Sequence, residues 1–103
     1  MGHVHGITLN SKVKIGKNCN IHKGVTIGQE NRGKRKGVPV IGDEVWIGIN
    51  ATIVGNVHIG NDVLIAPGAY INFDVPDHSI VVGNPGVIRH AVHATDGYIN
   101  RKV

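Results

Sequence analysis

The chain has 103 residues, of which 41% are hydrophobic but only 4% aromatic, and it carries a formal net charge of +4. That length suits one small domain, whose core must be narrow because Val, Ile and Ala supply nearly all of its apolar bulk. The single Cys19 excludes an internal disulfide, and no apolar run approaches the roughly 20 residues of a membrane-spanning helix.

The first residues, with His3 and His5, contain no hydrophobic leader segment, so a cytoplasmic setting is expected. A regular pattern starts at Leu9 and recurs every sixth residue at Ile15, Ile21 and Ile27. A smaller apolar side chain precedes most anchors by two positions, at Val13, Cys19 and Val25 in this run. Helices space apolar residues three and four apart, and simple amphipathic strands alternate without a glycine every sixth position. Period six instead describes a short strand, a turn and another strand set at an angle. Three such strands close one triangular coil of about 18 residues, and coils stack in parallel at about 4.8 Å. Cys19 falls in an inward slot and is read as core, not as a nucleophile. His22, one residue past an anchor, is read as a solvated turn residue.

Between Ile27 and Ile41 the rhythm breaks: fourteen positions separate two anchors where six suffice. Residues 29–39 are therefore expected to leave the prism as a loop, which carries the basic cluster Arg32, Lys34, Arg35 and Lys36. The anchors resume at Ile41, Ile47, Ile53, Ile59, Ile65 and Ile71, with Val45, Ala51, Val57, Val63 and Ala69 in the smaller slots. Trp46 is expected on an outer face or at an interface, and His58 faces outward. The prism is expected to end near Asn72, after a little over three coils. Residues 74–78 read as a turn, 79–82 as a last short strand and 83–86 as a second turn. The tail beyond has a weak helical spacing at Ile88, Ala91 and Val92.

Residues 3–89 resemble the hexapeptide-repeat acyltransferases. The most specific stretches are Gly24-Val25-Thr26-Ile27-Gly28, Ile41-Gly42-Asp43-Glu44-Val45-Trp46-Ile47-Gly48 and Val82-Gly83-Asn84-Pro85-Gly86. Within that superfamily the chain is most similar to the catalytic part of serine acetyltransferases and their polysaccharide-modifying O-acetyltransferase relatives. The resemblance implies an all-β, single-stranded left-handed parallel β-helix over residues 1–86, with a short C-terminal tail at 87–103. It supplies the handedness, which runs against the usual right-handed crossover. It also implies acetyl-CoA as co-substrate, and His3 as the general base for direct attack on the thioester. His5, Lys34 and Arg35 are expected to bind the acceptor. The turns at Gly48, Ile49, Ala66 and Pro67, together with Arg89, are expected to bind CoA, and turn N–H groups to hold the oxyanion. A homotrimer suits a three-faced prism too short to insulate itself.

The expected activity is acetyl transfer to a hydroxyl or amine of a small molecule or sugar. Serine O-acetylation and a non-catalytic trimeric β-helix are the alternatives. The family's Asp before the active-site His is Gly2 here, and its second His, before the loop-closing proline, is Val38. No metal is expected, since His22 and His58 stand on opposite sides of the register break and no His-x4-His spacing occurs. Nucleic acid is disfavoured because the basic residues form no stripe along the repeats.

Overall fold

A computed structural model of the chain describes residues 7–29, 37–91 and 95. The described residues form twelve short strands, β1 (Thr8–Leu9), β2 (Lys14–Ile15), β3 (Asn20–Ile21), β4 (Thr26–Gly28), β5 (Val40–Ile41), β6 (Val45–Ile47), β7 (Thr52–Val54), β8 (His58–Ile59), β9 (Val63–Ile65), β10 (Tyr70–Ile71), β11 (Ser79–Val82) and β12 (Val87–His90). From β1 to β10 each strand pairs with the strand three places away, which winds the chain into a prism; β11 then pairs with β9, because the rung between them on face B is only the Val75–Ile59 bridge. Face A holds β1, β4, β7 and β10; face B holds β2, β5 and β8; face C holds β3, β6, β9, β11 and β12. The pairing is parallel throughout the coil, as a left-handed β-helix requires.

The register places like residue upon like residue. Leu9, Ile27, Ile53 and Ile71 stack inside face A. Ile15, Ile41, Ile59 and Val75 stack inside face B, and Ile21, Ile47, Ile65 and Val81 inside face C. The smaller slots stack likewise, with Cys19, Val45, Val63 and Ser79 forming one column. The anchors of the upper three coils are almost wholly buried, from Ile27 at 0% to Val75 at 2%. The first coil, with Leu9, Val13, Ile15 and Cys19, is only partly buried.

Twelve anchors make four coils, and the prism runs on past Asn72. Its last coil is two residues shorter at one corner, because Val75 follows Ile71 by four positions and still bridges to Ile59. Asp74 stabilises that tight corner by accepting a hydrogen bond from the His58 backbone N–H at 2.9 Å. The start of the tail is extended, not helical: β12 returns antiparallel along β11 and covers the open edge of face C. Its pairing with the sheet overrides the weak helical spacing at Ile88 and Ala91.

Glycines after the anchors matter for close approach, because the left-handed backbone positions come two residues later. Asn18, Glu44, Asn50, Asp62 and His78 all take positive φ at the third turn position. At the corner between faces B and C, an Asx side chain on each coil caps the coil below. Asp43 Oδ1 accepts from Lys17 N at 2.8 Å, Asn61 Oδ1 from Asp43 N at 2.8 Å, and Asp77 Oδ1 from Asn61 N at 2.7 Å. Only a residue without Cβ leaves room for these oxygens: a methyl on Gly42 would stand 2.5 Å from Asn61 Oδ1. Gly42→Ala is therefore expected to lower stability by about 1–3 kcal/mol. Chemical denaturation checks this, and Asn61→Ala, which removes the same cap, should lose a similar amount.

Candidate functional site

The corner from face C back to face A differs in chemistry from the other two. Its first turn position is occupied in successive coils by His22, Gly48, Ala66 and Val82, and its second by Lys23, Ile49, Pro67 and Gly83. Rung-to-rung hydrogen bonds hold the column together: His22 N donates to Ile47 O, Gly48 N to Ile65 O, and Ala66 N to Val81 O. Asn50 N donates to Lys23 O and Gly68 N to Ile49 O in the same way. Gly48 is needed for the close approach, since a Cβ there would lie 2.6 Å from Pro67 N.

The ladder has a chemical consequence. It commits the N–H groups of His22, Gly48, Asn50, Ala66 and Gly68, and Pro67 has none to offer. Most of the turn amides expected to hold an oxyanion are therefore spent on the coil itself, and a ligand on this corner must find other polar partners.

Apolar surface is concentrated on the same edge. Among the described residues the exposed large hydrophobic side chains are Ile49 at 49%, Val82 at 44% and Val87 at 59%. Ile49 and Val82 belong to this corner, and Val87 is the cross-strand partner of Val82. With the exposed ring of Pro67 they make an apolar strip along the prism axis. Arg89, opposite Ile80 on the outer side of face C, sets a cation beside the C-terminal end of that strip. His22 stands at the other end. The strip thus joins every described residue expected to bind CoA: Gly48, Ile49, Ala66, Pro67 and Arg89.

His22 is more constrained than a solvated turn residue. It is half-buried, its ring lies 4.6 Å from that of Trp46 with a 47° tilt, and its Nδ1 is 2.7 Å from Ile47 O. Trp46 lies on the outer side of face C, as its position in the repeat predicts. The His22 constraint escapes sequence reasoning because it needs Trp46 of the next coil, a neighbour that exists only once the register is known.

His3, His5, Lys34 and Arg35 lie outside the described residues. The stretch that carries Lys34 and Arg35 follows Gln29 at the corner between faces A and B, and Gln29 Oε1 accepts from Asn10 Nδ2 at 3.4 Å. The described chain resumes at Gly37, packed against Asn56, and continues through half-buried Val38 and buried Pro39. His58 is exposed on face B, and His78 is held at 2.7 Å by Asp62 at the corner between B and C. Among the described residues no three His, Cys, Asp or Glu side chains converge as a metal site.

Residues 39–72 match the bacterial transferase hexapeptide family (six repeats). The serine acetyltransferase of Bacillus pumilus is 37% identical over 84 residues, covering 82% of this chain and 39% of the relative. A Neisseria gonorrhoeae serine acetyltransferase solved in complex with serine superposes with a TM-score of 0.68 at 37% identity, covering 82% of this chain and 37% of that one. A Brucella abortus serine acetyltransferase solved in complex with coenzyme A superposes with a TM-score of 0.78 at 30% identity, covering 84% and 35%. The chain belongs to the hexapeptide-repeat acyltransferase superfamily. It spans well under half the length of these relatives.

Cys19 takes no part in the candidate site. Its Sγ–H donates to Gly42 O at 3.2 Å, and burial raises the thiol above its ordinary value. A raised thiol leaves less thiolate at any given pH. Cys19 should therefore react with iodoacetamide at pH 8 about tenfold or more slowly in the native chain than in the urea-unfolded chain, as followed by mass spectrometry.

Proposed function

We propose that this superfamily member transfers an acetyl group from acetyl-CoA to a hydroxyl group, with the serine side chain the first acceptor to test. The observation that carries the proposal is the third corner: an exposed apolar strip with a cation beside one end and an imidazole at the other. That order matches the parts of CoA, in which phosphates are followed by an apolar, amide-bearing arm and a thioester. Arg89 binds phosphate with charge-assisted hydrogen bonds, the arm lies on Ile49, Pro67 and Val82, and the thioester reaches the first coil. Residues 3–5 precede β1 of that coil, so His3 is the base that takes the hydroxyl proton as oxygen attacks the thioester carbon. The sulfur leaves as thiolate and is reprotonated from the same imidazole. Serine is favoured over a sugar or an amine by the chain's likeness to the serine acetyltransferases from Bacillus pumilus, Neisseria gonorrhoeae and Brucella abortus.

A homotrimer completes the site in this reading. The strip and the loop at 29–39 flank opposite edges of face A, so Lys34 and Arg35 meet the strip most directly when they come from a neighbouring copy. On the outer side of face C, Trp46 and Ile80 remain half-buried on either side of Leu64, which the chain already buries by itself, so the apolar surface left for that neighbour is the exposed Ile49, Val82 and Val87 at the corner. His5 then orients the acceptor beside His3.

Thiol release from acetyl-CoA in the presence of L-serine is the test, with sugars and small amines as comparison acceptors. Turnover is expected with L-serine and is expected to fall at least a hundredfold in His3→Ala. Arg89→Ala is expected to raise the CoA Kd about fivefold without changing the fold. A chain that binds no CoA in calorimetry and turns over no acceptor contradicts the proposal and leaves a structural β-helix.

A further inference from the structure

We infer that His22 is a further cofactor-binding residue, whose Nε2 accepts a hydrogen bond from an amide N–H of the pantetheine arm. The inference rests on the acetyl-CoA reading and adds to it a residue that the reading does not use.

The geometry determines the tautomer. A carbonyl oxygen only accepts, so the 2.7 Å contact between His22 Nδ1 and Ile47 O requires the proton on Nδ1. The neutral ring therefore carries its lone pair on Nε2. The Trp46 ring at 4.6 Å holds the imidazole against face C and limits its rotation. Orientation by a backbone carbonyl on one nitrogen and an aromatic neighbour prepares the other nitrogen as an acceptor before any ligand arrives.

Position gives that acceptor a partner. His22 occupies the first turn position directly beneath Gly48, to whose coil it is tied by His22 N and Ile47 O. One rung of about 4.8 Å separates it from Gly48, and two rungs, about 10 Å, from Ala66. With Arg89 holding phosphate beside the fourth coil, an extended arm descending the strip brings its amides over the lower coils. An arm amide there needs an acceptor for its N–H. The apolar side chains Ile49, Pro67 and Val82 supply none, the carbonyls of Lys23, Ile47, Ile49, Ile65 and Val81 already accept from the ladder, and Asn50 Oδ1 is turned against Gly24 of the coil below. His22 Nε2 meets that need at the thioester end, where an error in arm position most affects attack on the carbonyl.

Two substitutions separate the hydrogen bond from the fold. In His22→Asn the side-chain amide can still donate to Ile47 O but has no atom at the Nε2 position. In His22→Gln the longer side chain carries a carbonyl acceptor out to that position. Binding is measured by calorimetry with CoA and with 3′,5′-adenosine diphosphate, which has the nucleotide but not the arm. The expected result is a CoA Kd about tenfold higher in His22→Asn and substantially restored in His22→Gln, with both variants matching wild type for the adenosine diphosphate. Equal CoA affinity in wild type and His22→Asn overturns the inference while leaving the acetyl-CoA reading intact. Equal weakening towards both ligands also overturns it, by showing a structural role. Absence of CoA binding in the wild-type chain sinks the acetyl-CoA reading itself, and the inference with it.

Discussion

The molecule depends on one constraint, the main-chain ladder that ties each coil to the next in parallel and in fixed register. Parallel pairing repeats the same three directions at every rung, so each inward position meets its equivalent above and below. Isoleucine on isoleucine follows from that repetition, and β-branched side chains suit it because they pack well on a pleated surface with little rotamer freedom to lose. A core of this form needs no aromatic centre, consistent with an aromatic content of 4%.

The same repetition makes each corner a column, and the three columns have different chemistry. Between faces B and C, Asp43, Asn61 and Asp77 cap backbone N–H groups and glycines make room for them. This column serves the fold. Between faces A and B, Gln29 and Gly37 bound the stretch outside the described residues, and the ladder is continuous on both sides of it. Between C and A the side chains are apolar and exposed, and the backbone N–H groups are largely committed. The fold thus supplies a rigid edge with few polar side chains, and those it has, His22, Lys23 and Asn50 on the lower coils and Arg89 beside the fourth, gain weight as recognition elements.

The first ten anchors and the inward place of Cys19 follow from spacing, because period six has no other regular explanation. The fourth coil was harder to see. Val75 arrives four residues after Ile71 instead of six, and the slot before Val81 is filled by Ser79, a polar side chain whose hydroxyl donates to Asp77 O at 3.3 Å. A pattern of apolar residues misses a hydroxyl satisfied in this way. Tail strand β12 was hidden for a related reason: four residues carry too short a pattern to distinguish helix from strand, and the exposed edge of β11 decided it. At the candidate site, Gly48, Ile49, Ala66, Pro67 and Arg89 are brought to one edge as their repeat positions imply. The constraint on the His22 ring is not legible in the local sequence, because it comes from Trp46 and Ile47, 24 and 25 positions away.

In the proposed function one of the three corners, and not the prism surface at large, receives the cofactor. Amide hydrogen–deuterium exchange with and without CoA tests it most directly, since each corner is a separate stretch of sequence in every coil. Exchange is expected to slow on CoA addition at residues 48–50, 66–68 and 82–87, with residues 16–18, 42–44 and 60–62 unchanged. Protection confined to residues 16–18, 42–44 and 60–62, or spread evenly over all three corners, would contradict it.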